Sequence, residues 1–191
     1  MERRLTMPLL LTSCGLETDA IQAQFLKMLP RPAAEARALF IPTAAISPDA
    51  IEVLPKCLED LYRCGIPPEH ITVYDLHEPM SAAEAAAYDV IYLCGGRTAY
   101  LLSRIREQGF QDVLAAYLET DGVVLGVSAG SVIFAANLPD NLGALRCPLH
   151  VHAGEAQKIA PGRYPAAREE LVSLGNRQAI YWDGDEIVIL E

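Results

Sequence analysis

Gly126-Val127-Ser128-Ala129-Gly130 sets a serine between two glycines directly after the apolar run Val123, Val124, Leu125 and Val127. This is a GxSxG pattern, in which a sharp strand-to-helix turn projects the hydroxyl clear of the backbone. The chemistry it suits is acyl transfer, with Ser128 attacking a carbonyl and nearby N–H groups stabilising the oxyanion that develops. A helix expected to start over Ser131 to Asn137 would turn its free N–H groups and positive end toward the same point. The same five residues also suit an ordinary tight turn in which Ser128 only caps the helix. A base, and an oxyanion donor beyond the motif's own N–H groups, must therefore come from elsewhere in the chain.

An attacking serine needs a general base, and the 4 histidines are His70, His77, His150 and His152. His70 falls at the amino end of a predicted strand, away from the expected site. His150 and His152 alternate along an extended segment, so their side chains share a face in strand conformation and either one could reach Ser128. Loop histidines on a solvated face are the alternative. Ala129, after the serine, offers one oxyanion N–H, and the Gly95-Gly96 turn offers a second because glycine lets a carbonyl oxygen approach bare backbone.

The elements that must position these groups alternate along the chain. Pro8 to Cys14 reads as a strand and Glu17 to Leu29 as a helix with Ile21, Phe25, Leu26 and Leu29 on one face. Ala38 to Ile41 is a second strand. Ser47-Pro48-Asp49 opens a helix closed by Gly65, with Ile51, Leu54, Leu58, Leu61 and Tyr62 inward. Ile71 to Leu76 is a third strand, and Ser81 to Glu84 a capping box opening a short helix. Asp89 to Cys94 is a fourth strand, running into Gly95-Gly96-Arg97-Thr98 and an apolar helix through Tyr100, Leu101, Leu102 and Ile105. Gln111 to Leu118 adds another helix before the serine's own strand. Near-continuous apolar strands alternating with helices imply a parallel sheet covered on both faces. In such sheets ligands bind at the carboxyl ends of the strands, where Gly95-Gly96 and Ser128 both fall. Beyond Leu138 the pattern loosens. Ala153 to Pro165 reads as a loop over the site, and Arg177 to Trp182 with Glu186 to Leu190 as a terminal β-hairpin.

With 191 residues and 51% hydrophobic content, a single domain over 1–191 is expected. A formal net charge of −10 disfavours nucleic acid and anionic membrane surfaces as partners. The 5 cysteines, Cys14, Cys57, Cys64, Cys94 and Cys147, are widely spaced without CxxC pairs. They read as thiols of a reducing, cytoplasmic setting rather than as disulfides or metal ligands, and no cofactor is expected. The basic start and lipobox-like approach to Cys14 suit a lipoprotein signal, but Pro8 interrupts a short apolar stretch and a first strand is the preferred reading. No stretch is apolar enough for a spanning helix.

LLLTSCG near the start, DVIYLCGGRTAYLL in the middle, GVSAGSVIF and then LGALRCPLHVH together resemble peptidase family S51, which includes aspartyl dipeptidases (peptidase E) and cyanophycinases. The resemblance implies an α/β fold: a three-layer flavodoxin-like parallel sheet of the class I glutamine amidotransferase type, here with a C-terminal β-hairpin. It implies Ser128 as nucleophile, His152 as base with His150 as runner-up, and Gly96 and Ala129 as the oxyanion hole. Asp140 is the nearest match to the family's acidic triad member, although a turn residue serves equally as its description. Gly95, Arg97 and Thr98 correspond to the family's substrate-contacting glycine turn, with Cys94 and Arg97 replacing its usual first glycine and asparagine. Arg168, in Ala167-Arg168-Glu169-Glu170, resembles the arginine that reads an acidic side chain, against the alternative of a solvated arginine. The expected reaction is hydrolysis of small peptides, N-terminal aspartyl dipeptides among them. A homodimer is left open. An α/β-hydrolase esterase ranks below because no histidine follows His152, and a non-catalytic binding protein on the same fold is the alternative from another class.

Overall fold

The computed structural model describes residues 9–191. The first strand accordingly begins at Leu9, and Pro8 with the residues before it lies outside the described part.

The chain alternates β1 (Leu9–Thr12), α1 (Asp19–Met28), β2 (Ala38–Ile41), α2 (Pro48–Glu52), α3 (Leu54–Arg63), β3 (Ile71–Val73), α4 (Ala82–Ala85), β4 (Val90–Leu93), α5 (Thr98–Glu107), α6 (Phe110–Tyr117), β5 (Val123–Val127) and α7 (Ala129–Val132). It then becomes mostly strand: β6 (Leu149–Ala153), β7 (Gly162–Pro165), β8 (Val172–Gly175), β9 (Ala179–Trp182) and β10 (Glu186–Leu190). The main sheet has 8 strands in the order β3-β2-β4-β5-β1-β9-β10-β7. The strands from β3 to β1 pair in parallel, whereas β9, β10 and β7 extend the sheet antiparallel. The predicted hairpin is thus real, and it docks on β1 as part of the sheet. A separate 2-stranded sheet joins β6 to β8.

Residues of β1, β2, β4 and β5 are buried throughout. Alternate side chains serve opposite layers, as the period of two requires. Leu9, Leu11, Leu39, Ile41, Ile91, Leu93 and Val124 pack with Leu101, Ile105, Phe110 and Leu114 of α5 and α6. Leu10, Phe40, Val90, Tyr92, Val123 and Leu125 pack with Ile21, Phe25, Cys57 and Leu61 of α1 and α3. Covering both faces explains why these strands read as unbroken apolar runs. The fold is the expected α/β three-layer sandwich of flavodoxin-like type.

Several boundaries depart from the sequence reading. The single helix expected from Ser47 to Gly65 is two, broken at Val53, and Ile51 is 50% exposed instead of inward. Its first piece starts as predicted, with the Ser47 side chain accepting from Ala50 N and Pro48 in the first turn. The helix after Ser128 lasts only from Ala129 to Val132, so it contributes individual N–H groups instead of a developed macrodipole. The Ala153 to Pro165 segment is not simply a loop over the site, because its end, β7, pairs with β10 at the sheet's edge. The strand β8 had no distinct signal. The Ser81–Glu84 capping box is present with both reciprocal bonds.

Candidate active site

Ser128 sits between β5 and α7 with φ 51° and ψ −110°, a strained conformation for a side-chain-bearing residue. The surroundings hold it there. Its N–H donates to Thr12 O at 3.0 Å, and Ser131 Oγ donates to the same carbonyl at 2.8 Å. Its own carbonyl accepts from Ser131 N at 2.9 Å and Val132 N at 3.0 Å. The two glycines of the motif permit the turn by close approach. A Cβ on Gly126 would lie 2.5 Å from Gly130 O, and one on Gly130 would lie 2.2 Å from Leu93 O. The elbow is therefore wedged against β4 as well as β1.

His152 reaches the serine from the other sheet, its Nε2 lying 3.0 Å from Ser128 Oγ. It is placed by an irregularity in β6. His150 pairs with Ser173 and Ala153 with Gly175, so Val151 and His152 together face the single residue Leu174. His152 takes up the extra residue with φ 59°. Its backbone N–H donates to Ser13 Oγ at 2.8 Å, tying the bulge to the end of β1. This bulge breaks the regular alternation from which His150 and His152 were expected to share a face. His150 stays exposed in the paired part of the strand, and His152 alone meets Ser128. Asn137 clamps the base of β6, donating to Leu149 O and accepting from Leu149 N, each at 2.9 Å.

The outer ring nitrogen, Nδ1, lies 3.1 Å from Asn176 Oδ1 and 3.3 Å from Cys14 Sγ. An oxygen acceptor at Nδ1 requires the hydrogen on that nitrogen, which leaves the Nε2 lone pair facing the Ser128 hydroxyl. The thiol adds a weak second partner; burial, then the charge of Glu17, pushes Cys14 above the usual thiol range, so it stays protonated near neutrality. With that tautomer the imidazole can take the serine's proton.

Asp140 is not the third member of this array. It is exposed on a turn, where its carbonyl accepts from Arg106 Nη2 at 2.6 Å, while Asn176 occupies the position on Nδ1. Sequence reasoning missed Asn176 because it follows the unpredicted β8. Cys14 had a usable signal, since it comes directly after a parallel strand at the sheet's carboxyl end.

Gly95, Gly96, Ser128, His152, Cys14 and Asn176 line one cavity of about 380 Å³. Gly96 has φ 139°, and a Cβ there would lie 2.0 Å from Ala44 O, so only glycine fits. Among the described residues, no acceptor is found for the N–H of Gly96 or of Ala129, the groups expected to hold an oxyanion. Arg97 donates its backbone N–H to Ala44 O at 2.8 Å and lines a neighbouring surface hollow with Ile46, Ser47 and Gly96. Thr98 begins α5 outside the cavity lining. Arg168 is not brought to Ser128 either. It lies over the Tyr164 ring at 5.5 Å and 3.5 Å from Glu170, in a separate hollow. The charged side chains that do line the Ser128 cavity are Lys56 and Glu17, which sequence reasoning did not single out.

Residues 9–142 match the profile of Peptidase family S51. The chain belongs to peptidase family S51. No curated protein matches it. Among solved structures, a Listeria monocytogenes EGD-e protein provisionally assigned as a peptidase E superposes with a TM-score of 0.73 at 19% identity, covering 96% of this chain and 98% of that one. A peptidase from an acI-B1 Actinobacterium gives a TM-score of 0.62 at 16% identity, covering 96% and 86%. At these identities the likeness is one of fold, and its 96% coverage of the chain reaches past the family match, which ends at residue 142. No described helix is long and apolar enough to cross a membrane, and no group of metal-binding side chains occurs among the described residues.

Proposed function

We propose that this S51 family member is a serine-type peptidase acting on small peptides, with N-terminal aspartyl dipeptides as the first substrates to try. The observation that carries the proposal is the 3.0 Å contact between Ser128 Oγ and His152 Nε2 on a strained elbow, at the wall of an open cavity. His152 accepts the Ser128 proton through Nε2 as Oγ attacks the scissile carbonyl. The carbonyl oxygen, now negative, is held by the N–H groups of Gly96 and Ala129. The imidazolium gives its proton to the leaving amine, and the acyl-serine remains. The same imidazole then takes a proton from water as it attacks the ester, and returns that proton to Ser128 Oγ as the acyl–Oγ bond breaks and the acid is released. Asn176 keeps Nδ1 protonated throughout, a positioning role that a carboxylate fills in other serine triads.

The test is hydrolysis of an Asp-X dipeptide panel beside Ala-X and Glu-X, with Ser128 labelling by a serine-directed phosphonate. Wild type should cleave at least one peptide and label, and Ser128→Ala should do neither. A wild-type protein that neither cleaves nor labels would refute the serine mechanism.

A further inference from the structure

Among the described residues, the cavity that holds Ser128 is lined by one lysine and no arginine, and that lysine is held by hydrogen bonds. Lys56 Nζ donates to the Cys14 carbonyl at 3.2 Å and to the Glu17 carboxylate, both on the segment that follows β1. These bonds use two of its three protons, and no protein acceptor takes the third among the described residues. The stem belongs to α3, which is anchored by buried Cys57 and Leu61 on either side of the first turn after it. Burial works against the charge, but the bond to Glu17 and the nearby Asp60 outweigh it and hold Lys56 above the ordinary lysine value. The ammonium therefore persists at neutral pH.

We infer that Lys56 binds a carboxylate of the substrate within the Ser128 cavity, with Glu17 holding it in position; this rests on the peptidase reading above. The chain carries a formal net charge of −10, so an anionic peptide is repelled at long range and needs a local cation to settle beside the serine. Arg168, expected to read an acidic side chain, and Arg97, expected in the substrate-contacting turn, lie in other hollows. Beside Lys56 the wall is apolar, formed by Ala50, Val53 and Leu54, so among these neighbours Lys56 is the group that offers a charged donor to a carboxylate. Glu17 also lines the cavity, and an ammonium on the same peptide would balance it. The carboxylate is either an acidic side chain or the peptide's C-terminus, and both offer the same chemistry.

Calorimetric binding to the Ser128→Ala protein separates these sources and does not depend on turnover. The probes are Asp-Ala, Asn-Ala and their C-terminal amides, tested with Lys56 intact, with Lys56→Met and with Lys56→Arg. Lys56→Met should weaken the carboxylate-bearing peptides by about 10- to 100-fold relative to their uncharged counterparts, and Lys56→Arg should restore the difference. Loss of the Asp–Asn difference assigns the side chain, and loss of the acid–amide difference assigns the C-terminus. Unchanged ratios in Lys56→Met would overturn the inference, as would equal weakening of all four peptides, which would make Lys56 only a strut. Failure of the Ser128→Ala protein to bind any probe also overturns it. A wild-type protein with carboxylate-selective sites but no hydrolysis would instead sink the peptidase reading and leave Lys56 as a carboxylate site.

Discussion

Ser128 and His152 meet at 3.0 Å, yet they hang from two unlike pieces of structure. The serine is seated at the centre of the main sheet, between β4 and β1, where every neighbouring strand residue is buried. The histidine sits on a 2-stranded sheet, on a strand buried only at its two ends, Leu149 and Ala153, and it is aimed by one bulge and one backbone bond to Ser13. The first arrangement stores strain in a rigid frame, which can over-determine an unfavourable φ. The second positions by a few polar contacts and is the one expected to yield first. Stability and catalysis should therefore separate between them.

The harshest way to break the comparison is at the elbow's glycine. Gly130→Ala would put a Cβ 2.2 Å from the Leu93 carbonyl oxygen, against backbone that cannot step aside without moving β4. A cost of about 3 kcal/mol or more is expected, seen as a large drop in melting temperature or loss of soluble protein. A variant that melted within a few degrees of wild type would show that the frame is far softer than its packing implies.

On the histidine side the balance reverses. His152→Ala should leave the melting temperature nearly unchanged, because the ring is exposed and belongs to no core cluster. Turnover of any cleaved peptide should nonetheless fall by about 10²- to 10⁴-fold. Asp140→Asn is the matched control. Its side chain touches neither Ser128 nor His152, and turnover should stay within about twofold on the ordinary scale of exposed substitutions.

The same contrast governs what could be read from the sequence. The serine's surroundings are local: an apolar run, five consecutive residues and a turn, all set by short-range sterics, so Ser128 and Ala129 could be singled out without coordinates, while Gly96 within the Gly95-Gly96 turn came from the family resemblance. Alternating apolar strands and helices likewise announced the layered sheet. The partner residues come from long-range pairing. His152 was reached through family resemblance, whereas regular alternation did not separate it from His150; only the extra residue between His150 and Ala153 does that, and nothing in LHVHA announces a bulge. Asn176 depends on β8, a four-residue strand whose Val-Ser-Leu-Gly lacks any pattern long enough to see. Arg168 was drawn in by its REE-like neighbours, while Lys56, with no motif around it, depended on the turn after β1 folding back onto α3.

A subtler change sharpens the histidine's side. Asn176→Ala would remove the oxygen 3.1 Å from Nδ1 that holds the ring with Nε2 toward Ser128. Turnover of any cleaved peptide should fall, by less than in His152→Ala, with the melting temperature nearly unchanged. Turnover equal to wild type would mean that Asn176 does not position His152.

The smallest expected effect lies in the rigid half, whose frame is not uniformly apolar. Asp60 on α3 is 3% exposed and accepts from Leu16 N at 3.0 Å. Burial pushes its carboxyl above the ordinary aspartate value; the Leu16 bond and Lys56 pull the other way without cancelling it. A folded-state value above the unfolded one means that the unfolded chain releases this proton first. Asp60's contribution to stability is then full below the unfolded value and is lost as pH rises through the folded one. Asp60→Asn keeps an acceptor for Leu16 and removes that titration, so its stability at neutral pH should stay within about 1 kcal/mol of wild type. The melting temperature of the variant relative to wild type should climb from acid pH toward neutrality. A relative melting temperature that falls over that interval would mean that the charged carboxylate is favoured in place, and that the elbow's side of the molecule also relies on polar contacts for its rigidity.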